Sequence, residues 1–247
     1  MRTVFTLWAW LTIPACAITC FCFQLVALPL TYPFDRQRRI VGRSYRWAAI
    51  AATFLNPLWR FRTEGDVPST LPKRVVCISN HRSHADPFII SRLPWEMKWL
   101  GKRELFPLPF IGWCMALAGD IPVRRGDKKS ALAAMDRCAR YVRNGMPVMI
   151  FPEGTRSKTN ALLPFKNGAF RLAIETQAHI LPLAVIGTQD ALKKHDWRFG
   201  RADARVVAGS PISTEGMTLD DIETVRTAAR AAIVELLTRH GAAPDEN

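Results

Sequence analysis

A polar stretch, NHRSHADPF at residues 80–88, follows the apolar run RVVCIS and contains two histidines, an arginine and an aspartate. Asp86 precedes a proline, an order typical of helix starts, so one interpretation makes Asp86 the N-cap of a helix that begins at Pro87. Residues 81–86 are then a loop that can fold His81 back onto Asp86. An imidazole that a carboxylate holds through one nitrogen can act as a general base through the other.

Two other interpretations of this stretch are open on these residues alone. His81 and His84 could bind a metal ion, but their spacing is H-x-x-H-x-D, whereas binuclear hydrolases use H-x-H-x-D-H. The other three histidines are isolated in the sequence, at positions 179, 195 and 240, so no metal site is predicted. Alternatively, both histidines are ordinary loop residues.

A second stretch, VMIFPEGTRS, places Glu153, Gly154, Thr155 and Arg156 after another predicted strand. Ligands of open α/β sheets bind beyond the carboxyl ends of the strands. Glycine permits close approach of a backbone to a ligand, and the arginine fork matches a phosphate group. Alone, such a loop would usually be a turn. Together with the first stretch, it indicates a ligand site.

Short β-rich runs alternate with amphipathic helices from about residue 63 onward. The predicted strands are 74–79, 97–101, 120–123, 147–151, 180–186 and 203–209. The two clearest helices cover residues 128–144 and 219–240, and each has capping residues at both ends. These caps are Asp127, Gly145, Thr218 with Asp221, and Gly241. The alternation predicts an α/β fold, layered around a mostly buried sheet.

The N-terminal segment has no charged side chain from residue 3 to residue 34, which exceeds the roughly 20 apolar residues of a membrane-spanning helix. A signal peptide is the alternative, with Arg2 as its basic start and cleavage near Ala17. The apolar run continues beyond that point, which favours an uncleaved membrane anchor. Because Pro14, Pro29 and Pro33 kink or end helices, a helix that only dips into the membrane is also open.

An arginine cluster follows the anchor, opposed by Asp35 alone. Its members are Arg36, Arg38, Arg39, Arg43 and Arg46. Arginines beside a membrane segment favour the cytoplasmic side and bind anionic lipid head groups. The apolar piece from Trp47 to Trp59 is too short to cross a bilayer. It suits either an interfacial helix or a buried helix of the globular part.

The chain has 247 residues and a formal net charge of +13, which suits either nucleic acid or a membrane surface. No nucleic-acid-binding motif is present, and the arginine cluster adjoins the anchor, so membrane lipids and no nucleic acid are the predicted partners. The six cysteines form no C-x2-C pair, so neither a zinc site nor a disulfide framework is indicated. The predicted organisation is an anchor with the basic cluster at 1–62, an α/β domain at 63–241 and a frayed tail at 242–247.

The motifs of this chain resemble those of the glycerolipid acyltransferases, most closely the 1-acyl-sn-glycerol-3-phosphate (lysophosphatidic acid) acyltransferases. The family motif N-H-x4-D is present as Asn80, His81 and Asp86, and FPEGTRS occurs unchanged at residues 151–157. Three further blocks match in family order, so the resemblance covers residues 75–187. They are KRELFPLPFIG from Lys102, GDIPVRR ending at Arg125, and ILPLAVI around Pro182.

This resemblance implies acyl transfer from a thioester, acyl-CoA or acyl-carrier protein, to the free hydroxyl of a lysophospholipid. His81 would be the general base and Asp86 would orient it, without an acyl-enzyme, a cofactor or a metal. Three cations would hold the acceptor phosphate, and the loop residues between them would shape its pocket. The residues implied are Lys102, Arg125, Glu153, Gly154, Thr155 and Arg156.

Two alternative functions stay open. An acyltransferase of the same fold could use another acceptor, such as glycerol 3-phosphate, a lysophosphatidyl head group or a lyso-ornithine lipid. A protein of another class, a non-enzymatic adaptor, could use the basic surface to bind membranes. The intact His81 and Asp86 pair favours an enzyme, because a binding protein has no need of it.

Overall fold

The computed structural model describes residues 2–192 and 196–245, and within these it contains seven α-helices and seven β-strands. His195, one of the isolated histidines, lies outside the described residues. The helices are α1 Arg2–Thr31, α2 Arg39–Phe54, α3 Asp86–Ile90, α4 Ile111–Ala118, α5 Lys128–Arg143, α6 Gly168–Thr176 and α7 Ile222–Arg239. The strands are β1 Trp59–Glu64, β2 Val75–Ser79, β3 Lys98–Lys102, β4 Ile121–Val123, β5 Val148–Ile150, β6 His179–Ile186 and β7 Ala202–Ala208.

The seven strands form one sheet in the order β1-β7-β6-β2-β5-β3-β4. Strands β2 to β6 run parallel to one another. Strand β7 is antiparallel to β6, and β1 pairs with β7 in parallel, at the outer side of the sheet. β2 lies between β6 and β5, and every residue of β2 and β5 is buried. The layered α/β fold around a mostly buried sheet is confirmed. Loops that leave β2, β5 and β6 therefore meet at one edge of the sheet.

The predicted elements agree closely with the structure. Each of the six predicted strands is present, with ends within one residue of the expected ones. The side chain of Asp127 accepts a hydrogen bond from Ser130 N at the start of α5, as a capping residue does. The capping box between Thr218 and Asp221 is also present, although the first turn there is a 3₁₀ helix that precedes α7.

Strand β1 was not predicted. It begins at Trp59, inside the apolar piece assigned to an interfacial or buried helix, and it runs through the domain boundary placed at residue 62. The helix in this region, α2, instead covers residues 39–54. Trp59 and Phe61 are buried with their rings stacked, while Arg60 and Arg62 between and after them are exposed. Alternation of buried apolar and exposed charged residues is typical of a strand. It was overlooked because the apolar helix before it was extended through Trp59.

Apolar cores cover both faces of the sheet. Helices α5, α6 and α7 supply the core on one face. On the other face, α3 and the segment around Trp95 pack against the strands, and Ala9 and Ile13 of α1 extend that core. Helix α2 packs between α1, α3 and α4. The N-terminal helices are thus part of the layer that covers one face of the sheet.

Helix α1 turns small and polar side chains inward and large apolar side chains outward. Its buried positions are Thr6, Ala9, Thr12, Ala17, Cys20, Gln24 and Ala27. Its exposed positions include Val4, Phe5, Leu7, Leu11, Phe23, Leu25, Val26 and Leu30. A surface helix in water does the reverse, whereas small residues at the protein interface and apolar ones outside are typical of lipid-facing helices. The helix is 30 residues long and, with a mean hydropathy of 2.0, apolar enough to cross a membrane. Its exposed face indicates membrane association.

Hydrogen bonds attach α1 to the rest of the protein near both of its ends. Arg2 Nε donates to Phe199 O at 3.0 Å, and Trp10 Nε1 donates to Trp197 O at 3.0 Å. Near the other end, the buried Gln24 donates through Nε2 to the carbonyl of Val41 in α2. These contacts join α1 to the domain and to α2.

The arginine cluster was expected to bind anionic lipid head groups, but most of its members contact the protein. Arg46 is buried and donates to both carboxylate oxygens of Asp120, at 2.6 and 2.9 Å. Arg38, Arg39 and Arg43 donate to the backbone carbonyls of residues 116, 145 and 93, respectively. These four side chains therefore join α2 and the residue before it to the rest of the domain, which the sequence did not predict. Arg36 is exposed and lies over the Tyr32 ring instead.

Candidate active site

Asn80 controls how the chain leaves the end of β2. Its side-chain Nδ2 donates to Val185 O, and Val185 N donates to its Oδ1, both at 2.8 Å. The amide side chain therefore continues the pairing of β2 with β6 for one more step, although the backbone has already turned away. Asn80 is fully buried. This contact gives the first residue of the N-H-x4-D motif a structural role, which the sequence alone did not supply, and it places His81 at the edge of the sheet.

His81 and Asp86 are in direct contact. His81 Nδ1 lies 2.7 Å from Asp86 Oδ2, and the two residues are 8% and 0% exposed. The same carboxylate oxygen accepts hydrogen bonds from the amides of Arg82 and Ser83 at 2.8 and 2.9 Å. Because this oxygen is surrounded by donors, the network assigns the ring proton to Nδ1 and leaves Nε2 unprotonated. An imidazole in this tautomer can accept a proton from a substrate.

The expected capping role of Asp86 is wrong. Asp86 is the first residue of α3, Ala85 stands at the N-cap, and no side chain caps the helix. The carboxylate turns back to the loop, and its second oxygen accepts from the hydroxyl of the buried Thr188 at 2.5 Å. Donors from the loop and from Thr188 thus occupy the carboxylate that would otherwise cap the helix. Thr188 follows β6 and is 102 residues away in sequence, so no local signal identifies it.

The FPEGTRS loop supports His81 from the side of β5. The ring of Phe151 stacks on the His81 imidazole, with centroids 4.0 Å apart and planes 16° apart. Glu153 Oε1 accepts from His81 N at 2.7 Å, and its Oε2 accepts from Leu163 N at 3.0 Å. Ser157 N donates to His81 O at 2.9 Å. Backbone and ring of His81 are therefore both held by this loop.

Glu153 has a different place from the one implied by the resemblance. It is 2% exposed, and backbone amides occupy both of its carboxylate oxygens. Burial raises the pKa of the Glu153 carboxyl, and the two amide hydrogen bonds act in the opposite direction. Glu153 therefore positions the main chain of His81. These contacts do not support a direct role of Glu153 in the phosphate pocket.

Two of the three predicted phosphate-binding cations share a cavity. Lys102 at the end of β3 and Arg125 just beyond β4 line a cavity of about 210 Å³, called the Lys102 cavity below. Gly154 lies on its wall, and so does Phe151, whose ring stacks on His81. Phe151 therefore contacts both the Lys102 cavity and the ring of His81.

Arg156 and Thr155 line a different cavity. It has a volume of about 600 Å³ and is called the Arg82 cavity below. Its other charged lining residues are Arg82, Lys158 and Asp190. The structure thus does not bring Arg156 into the same cavity as Lys102 and Arg125, because the loop at residues 152–157 separates the two spaces.

The pKa of His84 is lowered by cations of both cavities. Partial burial is the largest cause, and the positive charge of Arg156 is the next, with smaller contributions from His81 and Arg125. Arg125 and Arg156 therefore both act on the electrostatics around His84. His84 was not among the predicted site residues.

Comparisons with known proteins identify the family of this chain. A sequence model of the family described as Acyltransferase matches residues 60–186. A chloroplastic 1-acyl-sn-glycerol-3-phosphate acyltransferase of Brassica napus is 32% identical over 201 residues, which cover 79% of this chain and 57% of the relative. The 1-acyl-sn-glycerol-3-phosphate acyltransferase alpha of Mus musculus is 35% identical over 174 residues, or 68% of this chain and 60% of the relative.

A solved structure has the same fold. It is the crystal structure of the 1-acyl-sn-glycerophosphate (LPA) acyltransferase PlsC from Thermotoga maritima, with a TM-score of 0.72, 20% sequence identity and coverage of 100% of both chains. The chain spans a little over half the length of the curated relatives described above. The resemblance drawn from the motifs is confirmed by these matches. The chain belongs to the acyltransferase family.

Proposed function

We propose that the protein transfers a fatty acyl chain from a thioester donor to the free hydroxyl of 1-acyl-sn-glycerol 3-phosphate, which gives phosphatidic acid. The observation that carries the proposal is the contact of His81 with Asp86 beside a cavity lined by Lys102 and Arg125. A positioned base next to two cations suits an acceptor that has a hydroxyl to activate and a phosphate to bind. The names of the relatives describe enzymes of this class.

The reaction follows from the orientation of the imidazole. His81 Nε2 takes the proton of the acceptor hydroxyl while the oxygen attacks the thioester carbonyl carbon. The tetrahedral intermediate then collapses, the carbon–sulfur bond breaks, and the imidazolium returns the proton to the leaving thiolate. Asp86 holds the ring through Nδ1 and stabilises its charged form, as the carboxylate does in other base–orienter pairs.

Direct transfer, without an acyl-enzyme, is favoured by the state of the nearby nucleophilic residues. Ser83 is fully buried, and its hydroxyl oxygen accepts from Ala85 N at 3.2 Å. Cys77 lies inside β2, where burial raises the pKa of its thiol well above the ordinary range. Neither side chain is placed to attack a thioester. The acceptor hydroxyl, activated by His81, is therefore the nucleophile.

The acyl chain needs an apolar surface close to the base. A cavity of about 70 Å³ lies between α1, α2 and α3, beside Pro87 and Phe88. Its other apolar lining includes Ala17, Ala49 and Ala52. Pro87 and Phe88 belong to α3, whose first residue is Asp86, so this cavity borders the helix that follows the NHRSHAD stretch. Its small side chains and its border on the membrane-facing helix suit the methylene chain of a lipid substrate.

A panel of acceptors tests the proposed reaction. Purified protein in mixed micelles or vesicles is given acyl-CoA or acyl-carrier protein together with each candidate acceptor. We expect an acylated product with lysophosphatidic acid and much less with lysophosphatidylcholine, glycerol 3-phosphate or a lyso-ornithine lipid. Preference for one of the other acceptors would leave the fold and the base intact but would overturn the assigned substrate. The same panel separates the two classes of donor.

Arg125→Lys should weaken the use of lysophosphatidic acid, mainly through a raised KM, and Arg156→Lys should do so less, because Arg156 does not line the Lys102 cavity. A lysine cannot reproduce the two-pronged contact that an arginine makes with phosphate. The loss of one charge-assisted contact costs about 1.5–3 kcal/mol, or about one to two orders of magnitude in kcat/KM. Steady-state kinetics with lysophosphatidic acid and with lysophosphatidylcholine check this. Equal losses on both acceptors would assign these arginines to the donor or to the fold.

We also propose that α1 lies in the membrane with its exposed face toward the lipid, on the cytoplasmic side. Support for the orientation comes from the contacts of α1 near both ends with the domain, which a helix crossing the bilayer by itself would not make. Support for the side comes from the arginine-rich segment that follows α1, because such segments are retained in the cytoplasm. Both the acceptor and the product are lipids, so this arrangement brings the active site to its substrate.

Replacing Leu7 and Leu11 together by glutamine should reduce binding to neutral phosphatidylcholine vesicles by at least about tenfold. Their side chains are 59% and 65% exposed, so the exchange removes lipid-facing surface and leaves the core unchanged. Burying one leucine is worth about 1.5–3 kcal/mol. Leu132→Gln is the matched control, because Leu132 is 64% exposed but lies on α5, which covers the other face of the sheet.

Co-sedimentation with vesicles measures this binding, and thermal unfolding confirms that all variants are folded. Unchanged sedimentation of the double variant, or an equal loss in the control, would show that the exposed face of α1 does not contact lipid.

A further inference from the structure

The Lys102 cavity contains a cation that the family motifs do not account for. Lys166 lines it together with Lys102, Arg124 and Arg125. Its position, 166, falls between the FPEGTRS block and the apolar block around Pro182, so no matched motif includes it. Its side chain is exposed. Four cations therefore line a cavity of about 210 Å³.

Two contacts hold Lys166 in this position. Its backbone N donates to Pro152 O at 2.9 Å, which joins it to the FPEGTRS loop. Its side chain passes over Gly154, where a β-carbon would lie 2.8 Å from Lys166 Nζ, 3.0 Å from Cε and 3.2 Å from Cδ. Gly154 has a φ of +68°, a conformation that glycine adopts readily. The absence of a side chain at Gly154 therefore leaves the space that the Lys166 side chain occupies.

No ion pair with a carboxylate neutralises Lys166 among residues 2–192 and 196–245. Lys102 lies 3.9 Å from Glu104, and Arg124 lies 4.0 Å from Asp127. In the described part of the chain, neither Lys166 nor Arg125 has a carboxylate within 4.0 Å. Helix α6 begins two residues after Lys166, and its first two residues also line the cavity. The positive end of that helix adds to the field of the cations.

From this arrangement we infer that Lys166 binds the acceptor phosphate, and that with Lys102 and Arg125 it selects a phosphate monoester over a phosphodiester head group. The inference rests on the proposed function. A phosphate monoester carries close to two negative charges at neutral pH, and a phosphodiester carries one. Three cations around one site match the monoester. Lys166 supplies the third from inside the Lys102 cavity, which Arg156 does not line.

Lys166→Met tests this directly, because methionine keeps most of the apolar stem and removes the charge. We expect the KM for lysophosphatidic acid to rise by about 10- to 100-fold, with little change in kcat, as for other lost charge-assisted contacts. The kinetics with lysophosphatidylcholine should stay the same, and Lys166→Arg should restore most of the affinity. Lys73→Met is the matched control, since Lys73 is also exposed but precedes β2 and lies at the opposite edge of the sheet.

A double-mutant cycle with Gly154→Ala gives a second readout. The added methyl group would occupy the space of the Lys166 stem, so it should raise the same KM. If it acts by displacing Lys166, its effect should largely disappear in the Lys166→Met background. Additive effects of the two changes, or equal changes in KM for both acceptors, would contradict the assignment.

Binding of inorganic phosphate separates a failure of this inference from a failure of the proposed reaction. Phosphate should raise the thermal unfolding midpoint of the wild type and of Lys73→Met, and should raise that of Lys166→Met much less. If this pattern holds in a protein that does not acylate lysophosphatidic acid, the anion site stands and the proposed reaction is wrong. If the wild type makes phosphatidic acid while phosphate protects Lys166→Met as well as the wild type, the role of Lys166 is wrong.

Discussion

His81→Ala should lower the turnover number by about 10²–10⁴-fold, the usual contribution of a general base, and leave the protein folded and membrane-associated. The imidazole is the group whose Nε2 can accept the hydroxyl proton, because Nδ1 faces Asp86. Its removal also uncovers one face of the Phe151 ring, so a modest loss of stability is expected as well. Initial rates of phosphatidic acid formation at saturating substrates measure the effect.

His179→Ala provides the control for that experiment. His179 is the first residue of β6 and therefore lies at the edge of the sheet opposite the site. The exchange removes the same side chain from the same fold, and we expect near wild-type turnover. Near wild-type turnover of His81→Ala, with a normal thermal unfolding midpoint, would exclude His81 as the base.

Asp86→Asn should also reduce turnover by at least about 10²-fold, and up to about 10⁴-fold if it matches the aspartate of Ser-His-Asp triads. The structure makes this a test of charge rather than of packing. The amide oxygen can take the place of Oδ2, which accepts from His81, Arg82 and Ser83. The amide nitrogen then faces the Thr188 hydroxyl, which can rotate to accept. The fold is kept while the imidazolium loses its counter-charge.

Thr188→Val gives a graded comparison. It removes a single hydrogen bond from the other carboxylate oxygen, so it should cost much less activity than Asp86→Asn. Kinetics and thermal unfolding of both variants, measured side by side, check the order. A Thr188→Val loss as large as that of Asp86→Asn would mean that the position of the carboxylate, and not its charge, limits the reaction.

The contact between His81 and Asp86 was predictable because the two residues are close in sequence and a strand end and a proline limit the loop between them. Five of the six predicted strands, β2 to β6, are parallel, and buried parallel strands are short continuous apolar runs that a sequence shows directly. Strand β1 was not predicted because its first residue, Trp59, was assigned to the apolar helix that precedes it. Arg46 was expected at the lipid surface. No local sequence pattern reveals its buried hydrogen bond with Asp120, which is 74 residues away.

The division of the cations between two cavities could not be predicted either. Motif spacing indicates that Lys102, Arg125 and Arg156 gather at one edge of the sheet, but not on which side of the loop at residues 152–157 each side chain lies. Thr188 and Lys166 were missed because their partners, Asp86 and Gly154, are reached only through the fold. Long-range contacts of this kind depend on the pairing of β2 with β6 and on the path of the chain before α6.

The proposed direct transfer is tested most directly by following a radiolabelled acyl group through a single turnover. Purified protein is mixed with a labelled thioester donor, with and without lysophosphatidic acid, and label is measured in phosphatidic acid and on the protein. Direct transfer with His81 as the base predicts that label passes to phosphatidic acid in the wild type, passes far more slowly in His81→Ala, and does not accumulate on the protein when the acceptor is absent. Formation of a labelled protein that then transfers its acyl group, or no phosphatidic acid from any thioester donor, would contradict it.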